Sequence, residues 1–166
     1  MIKALGGTLV LGSCFWWAQH QMGSLRQQAE ILEALAETLA HMARELDRCA
    51  PEMETLLQLG LEEEHETVRQ LFGSISLGRL GEQRFETLWR DSVEASNVPE
   101  AGKRILCPLG AVLGRYDREA QIAALSGAQT DLREAGAALR RKLSENRKLW
   151  YTLSLSTGLM VVLMFL

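Results

Sequence analysis

The sequence predicts an all-α protein: an antiparallel helical bundle of about six helices, flanked by N- and C-terminal transmembrane helices. Three observations predict it. The ends of the chain carry no charge, from Ala4 to Ala18 and again from Leu149 to Leu166. Two long stretches between them repeat leucine every seven residues. Strand patterning is nearly absent, with Ile75 and Leu77 its only trace. The expected organisation is an N-terminal transmembrane helix over 2–19, a cytoplasmic helical bundle domain over 20–148 and a C-terminal transmembrane helix over 149–166.

The first apolar stretch is short, because a span needs ~20 residues to cross a hydrocarbon core of ~30 Å. Met1, Ile2 and a snorkelling Lys3 lengthen it, and Trp16 and Trp17 suit an interfacial end. Leu11-Gly12-Ser13-Cys14 has the look of a lipoprotein processing site, but Phe-Trp-Trp-Ala follows in place of a polar tether. An uncleaved anchor is the preferred reading. A lipoprotein processed at Cys14, or an extracytoplasmic helical domain, is the alternative. Ala4, Thr8 and Gly12, like Ser154 and Gly158, stand four residues apart, a spacing that lets membrane helices approach closely. The ordinary abundance of Gly and Ser in such helices explains the same stripes.

From Leu25 the chain reads as one long helix. Leu25, Leu32, Leu39 and Leu46 recur at seven, with Leu35, Met42 and Cys49 in the complementary position, which makes an a/d seam. Pro51 ends it, since Ala50 before the proline is pushed out of helical geometry. A short helix over 52–61 follows, then one over 62–72 with Val68, Leu71 and Phe72 on one face. Gly81 and Glu82 introduce a helix with Phe85, Leu88, Trp89 and Val93 inward. Asn97-Val98-Pro99 breaks it. Pro99 starts another, bearing Ile105, Leu106, Leu109, Val112 and Leu113, which Pro108 kinks or splits.

The last helix begins near Asp117, which suits an N-cap, with Glu119 at the positive end of the dipole. Leu125, Leu132 and Leu139 repeat at seven, with Ala128 and Ala135 in the partner positions. Two seams in one chain predict an intramolecular antiparallel pair. The competing arrangement is a homodimeric coiled coil, so a homo-oligomer stays open. This helix runs into the second apolar segment, entered through Arg147 and Lys148 and then Trp150 and Tyr151. Arg140, Arg141, Lys142, Arg147 and Lys148 face Glu145 alone on the domain side. The positive-inside rule therefore puts the central domain in the cytoplasm, with two passes.

Composition excludes little more. Outside the first apolar segment, 17 basic residues meet 21 acidic ones, so nucleic acid is not an expected partner. Cys14, Cys49 and Cys107 form no motif and read as reduced core thiols. Glu62-Glu63-Glu64-His65-Glu66 lacks the i, i+4 spacing of a helical metal pair and reads as a solvated helix start. His20 and His41 have no convergent partners, and there is neither a phosphate loop nor a nucleophile–base set. No catalysis, metal or cofactor is expected.

One turn is unusually charged for a bundle. Leu113, Gly114, Arg115, Asp117, Arg118, Glu119 and Gln121 crowd a helix–turn–helix joint with Gly114 as its helix-ending residue. They are the candidate protein-interaction residues. Leu113-Gly114-x-x-Asp117-Arg118-Glu119-x-Gln121 resembles the "LGxSDxExQ" turn of the stage III sporulation protein AB family of spore-forming Firmicutes, with Tyr116 where Ser is usual and Ala120 where Gly is usual. The likeness extends over the opening Met1-Ile2-Lys3, the long helix through Leu46, the Pro51 break and the apolar end.

That resemblance implies a role in endospore formation, as a non-enzymatic platform or scaffold in a secretion-like complex between mother cell and forespore. The family is similar to the inner-membrane platform proteins of type II secretion and type IV pilus machines. The implied location is the mother-cell membrane (outer forespore membrane). The implied partners are the other stage III A-operon proteins, in particular the secretion-type ATPase, protein AA.

Overall fold

In a computed structural model, residues 23–49, 51–76, 84–113, 115 and 117–145 are described in full, and 2–22, 77–78 and 146–165 as helical backbone alone. The described residues form seven helices and no strand: α1 (Ile2–Cys49), α2 (Met53–Leu61), α3 (Glu66–Gly78), α4 (Phe85–Ala95), α5 (Glu100–Leu106), α6 (Leu109–Val112) and α7 (Arg118–Phe165). The chain divides into two compact units. One comprises Met1–Gln27 and Ala138–Leu166, the other Gln28–Ala137. Among the described residues no helix is long and apolar enough to cross a membrane. The two segments expected to do so, 2–19 and 149–166, lie outside the residues whose side chains are described, as do Cys14, His20 and the small-residue stripes.

Within the second unit, α1 and α7 run antiparallel. Arg118 reaches Asp47 near the end of α1, while a Cβ on Gly136 would sit 3.7 Å from the Ala29 carbonyl and 3.8 Å from Leu32 Cβ. The two seams thus close on each other inside one chain. Leu32, Leu35, Leu39 and Met42 of α1 are fully buried, as are Leu125 and Leu132 of α7. The buried face of α1 is wider than an a/d seam and takes in Ala29, Ala36, Ala40 and Ala43. A second neighbour also packs on α1: a Cβ on Gly102 of α5 would meet Leu32 at 2.8 Å.

The short helices supply the other half of the core. Trp89 of α4 is wholly buried, edge-on to Phe72 of α3 at 6.1 Å between centroids, with Phe85 tilted against it at 5.8 Å. Its indole N–H donates to the Leu106 carbonyl at 2.7 Å. A buried indole needs such a partner, and Leu106 is one of the last carbonyls of α5, which its own helix leaves free. Pro108 does split the run after Pro99 into α5 and α6. Leu106, Leu109 and Leu113 are buried, and Ile105 and Val112 half-buried.

Three expectations need correction. Helix α3 spans Glu66–Gly78 in place of 62–72. Glu62 closes α2 by donating its N–H to Gln58 O at 3.1 Å, and the His65 carbonyl takes the N–H groups of Val68 and Arg69, so the new helix starts only after His65. Ile75, read as strand-like, is buried in α3. The helix expected after Gly81 and Glu82 is found as α4, which starts at Phe85, where the Arg84 carbonyl accepts from Thr87 and Leu88; Gly81 and Glu82 themselves lie outside the described residues. Finally, Cys49 is exposed, and Cys107 is half-buried, so neither is a fully buried core thiol. The α1 seam loses its cover at Cys49 because α7 begins opposite Asp47, two residues short of it.

Candidate docking surface

The charged turn between α6 and α7 is built from its apolar anchor outward. Leu113 leaves α6 with extended backbone (φ −64°, ψ 126°), its N–H on Leu109 O at 2.9 Å and its side chain buried. Arg115 then donates its N–H to Val112 O at 3.3 Å, and the Asp117 carbonyl accepts from Gln121 at 3.1 Å as α7 begins. Gly114, the expected helix-ending glycine, lies outside the described residues, as does Tyr116.

The two arginines point back to the domain. Arg115 lies 3.4 Å from Glu86 Oε2 of α4, whose other oxygen lies 3.4 Å from Arg90. Arg118 donates through Nη2 to both the carbonyl of Asp47 (2.8 Å) and its Oδ1 (3.1 Å). The carbonyl contact satisfies one of the four acceptors that the end of α1 leaves open, and places positive charge at the negative end of that helix. Both pairs are solvent-exposed, so each contributes ~0–1 kcal/mol. Their joint effect is positional, tying the start of α7 to the end of α1 and to α4.

Of the seven candidates, then, Leu113 is a core anchor, and Arg115 and Arg118 are clamps. Asp117 and Glu119 are exposed, and Gln121 is half-exposed. The structure brings Arg115, Asp117, Arg118 and Glu119 onto one exposed turn, with each arginine paired to an acid of another helix. Asp47 and Glu86, the partners of the clamps, were not singled out from the sequence. They stand 71 and 29 residues from the arginines they hold, and no local pattern announces them.

A second polar surface lies where Glu37, His41 and Arg44 of α1 meet Glu63 and Arg133 around buried Ala40. There Thr38, the one buried polar side chain among the described residues, holds its hydroxyl 2.8 Å from Ala34 O and 3.1 Å from Glu63 Oε2. The stretch around His65 is thereby pinned to α1 as a connection. Among the described residues no group of three or more His, Cys, Asp or Glu could hold a metal ion. Burial first, and Glu94 second, push the Cys107 thiol up, which keeps it protonated and poorly nucleophilic at neutral pH.

Comparison with known proteins gives one consistent result. The family model of stage III sporulation protein AB matches residues 3–166. A solved structure of stage III sporulation protein AB aligns with a TM-score of 0.55 at 21% identity, covering 70% of this chain and 94% of that one. None of the curated proteins compared matches the chain.

Proposed function

The chain belongs to the stage III sporulation protein AB family, and from that premise we propose that it is a non-enzymatic membrane platform of the complex formed during endospore formation. In this reading 2–19 and 149–166 cross the mother-cell membrane, the outer forespore membrane, and the helical domain faces the cytoplasm. The observation that carries the proposal is the pairing of the chain's two ends. Both uncharged stretches belong to one compact unit, while a separate helical unit, Gln28–Ala137, holds 20 of the 21 acidic residues. A continuous helical unit inserted between two anchoring segments suits docking. The resemblance to secretion platforms supplies the partner class, a secretion-type ATPase (protein AA) together with other proteins of the same operon. Asp117, Glu119 and Gln121 form the contact on the charged turn, with Arg115 and Arg118 holding it in place.

The test is cysteine accessibility in intact cells, with single-cysteine versions at Arg90 and just after Leu166 in a background lacking Cys14, Cys49 and Cys107. An impermeant reagent should label only the C-terminal position. Labelling at residue 90 would put the domain outside and end the ATPase proposal. The Leu11-Gly12-Ser13-Cys14 sequence favours one alternative, an acylated lipoprotein with an extracytoplasmic domain. Intact mass separates the two, since processing at Cys14 removes thirteen residues.

A further inference from the structure

Charge is divided between the two units very unevenly. Gln28–Ala137 holds 20 acidic and 11 basic residues, a net charge of −9. The other unit holds seven basic residues against Glu145 alone, a net charge of +6. Apart from Lys3 at the far end of the first apolar segment, these are Arg26, Arg140, Arg141, Lys142, Arg147 and Lys148. Arg140, Arg141 and Lys142 are exposed on α7. Arg147 and Lys148 follow Arg140 and Arg141 by seven residues, two helical turns, so these four positions form two adjacent rows along the helix, with Lys142 beside the second. The rows extend over ~12 Å of helix axis, at 1.5 Å per residue. They stop where the uncharged stretch begins at Leu149, with Trp150 and Tyr151 next.

We propose that these rows bind the headgroups of anionic phospholipids, which makes 140–148 a lipid-recognition segment beyond its part in setting orientation. The proposal rests on the reading of 149–166 as a membrane span. Headgroup layers occupy roughly 5–8 Å on each side of the hydrocarbon core. Rows ~12 Å long, carried by long side chains, therefore cover the whole phosphate layer. Each basic residue near an anionic surface contributes about 1 kcal/mol, roughly a factor of five. An anionic surface repels the acidic unit, so attraction is confined to this segment.

The experiment uses the full chain reconstituted in mixed vesicles, with spin-labelled phosphatidylglycerol or phosphatidylcholine as the probe. The fraction of each lipid immobilised at the protein is compared. We expect at least a threefold preference for phosphatidylglycerol, weakened by 0.5 M salt, sharply reduced in R140Q/R141Q/K142Q and kept in R140K/R141K. Retained helicity in the glutamine variant excludes misfolding as the cause. Equal immobilisation of the two lipids by the natural chain overturns the proposal while leaving the span intact. No immobilised lipid, with release of the chain by alkaline carbonate, overturns both the proposal and the membrane reading it rests on.

Discussion

Replacing glycine by alanine should act with opposite sign at two helical positions, Gly60 and Gly127. Alanine is favoured over glycine inside a helix by ~1 kcal/mol, so propensity alone predicts a gain at both. At Gly127 that gain should be realised in full, because a Cβ there meets nothing within 4 Å on the exposed side of α7. At Gly60 the Cβ would lie 2.2 Å from Phe72 Cγ and 2.3 Å and 2.6 Å from the two Cδ atoms. These are atoms at the root of the ring, and Phe72 is itself wholly buried with its ring against Trp89. The ring therefore has no free direction, and α2 must move off α3. Overpacking of this kind costs about 1–3 kcal/mol, which outweighs the propensity gain. With a urea m-value of ~2 kcal/mol/M, G127A should raise the midpoint by about 0.5 M. G60A, with the ~1 kcal/mol propensity gain set against the overpacking cost, should lower it by up to about 1 M. The assay is urea unfolding of the detergent-solubilised full chain, followed by tryptophan fluorescence. Two midpoint shifts of the same sign would refute the reasoning.

Other outcomes follow from the same contacts. Trp89→Phe removes the donor to Leu106 O and leaves that buried carbonyl unpaired, a loss of about 1–3 kcal/mol; an unchanged unfolding midpoint would contradict it. Arg118→Ala should cost no more than ~1 kcal/mol but speed amide exchange in the last turn of α1, where its contact with Asp47 lies. Charge reversal at Asp117 and Glu119 together should abolish co-purification of the ATPase with the unfolding midpoint unmoved; retained binding would remove the turn from the docking surface. Alkylation at pH 8 should consume exposed Cys49 at least tenfold faster than Cys107, whose thiol burial holds up. Because the folded state of Cys107 disfavours its thiolate, its contribution to stability is present below the ordinary thiol pKa and is lost as pH rises through the raised one.

Much of the secondary structure was legible because it is written in local terms. A seven-residue leucine period can be buried only on one side of a helix, so α1 and α7 were readable along their length. Pro51, Pro99 and Pro108 act within a residue or two, and the helix boundaries follow them closely. Failures occurred where a boundary depends on something far away in sequence. Gly60 and Phe72 come together at the α2–α3 joint, and the next helix begins only after His65 has served as its cap; the acidic run around it looked helical from the start. Cys49 continued the heptad on paper, yet stands exposed because its partner helix has already ended.

For the candidate site the division is similar. The unusual charge density of 113–121 was visible in the sequence, and so was its family likeness. That Arg115 and Arg118 pair with Glu86 and Asp47, leaving Asp117 and Glu119 exposed, was not. The sequence by itself determined the helical class, the uncharged ends, the breaks and the distribution of charge, all properties of near neighbours along the chain. Tertiary structure alone decided which charges are consumed as clamps, which glycines are obligatory and where the seam stops. Those depend on the distance between residues tens of positions apart, a distance that exists only once the chain has folded.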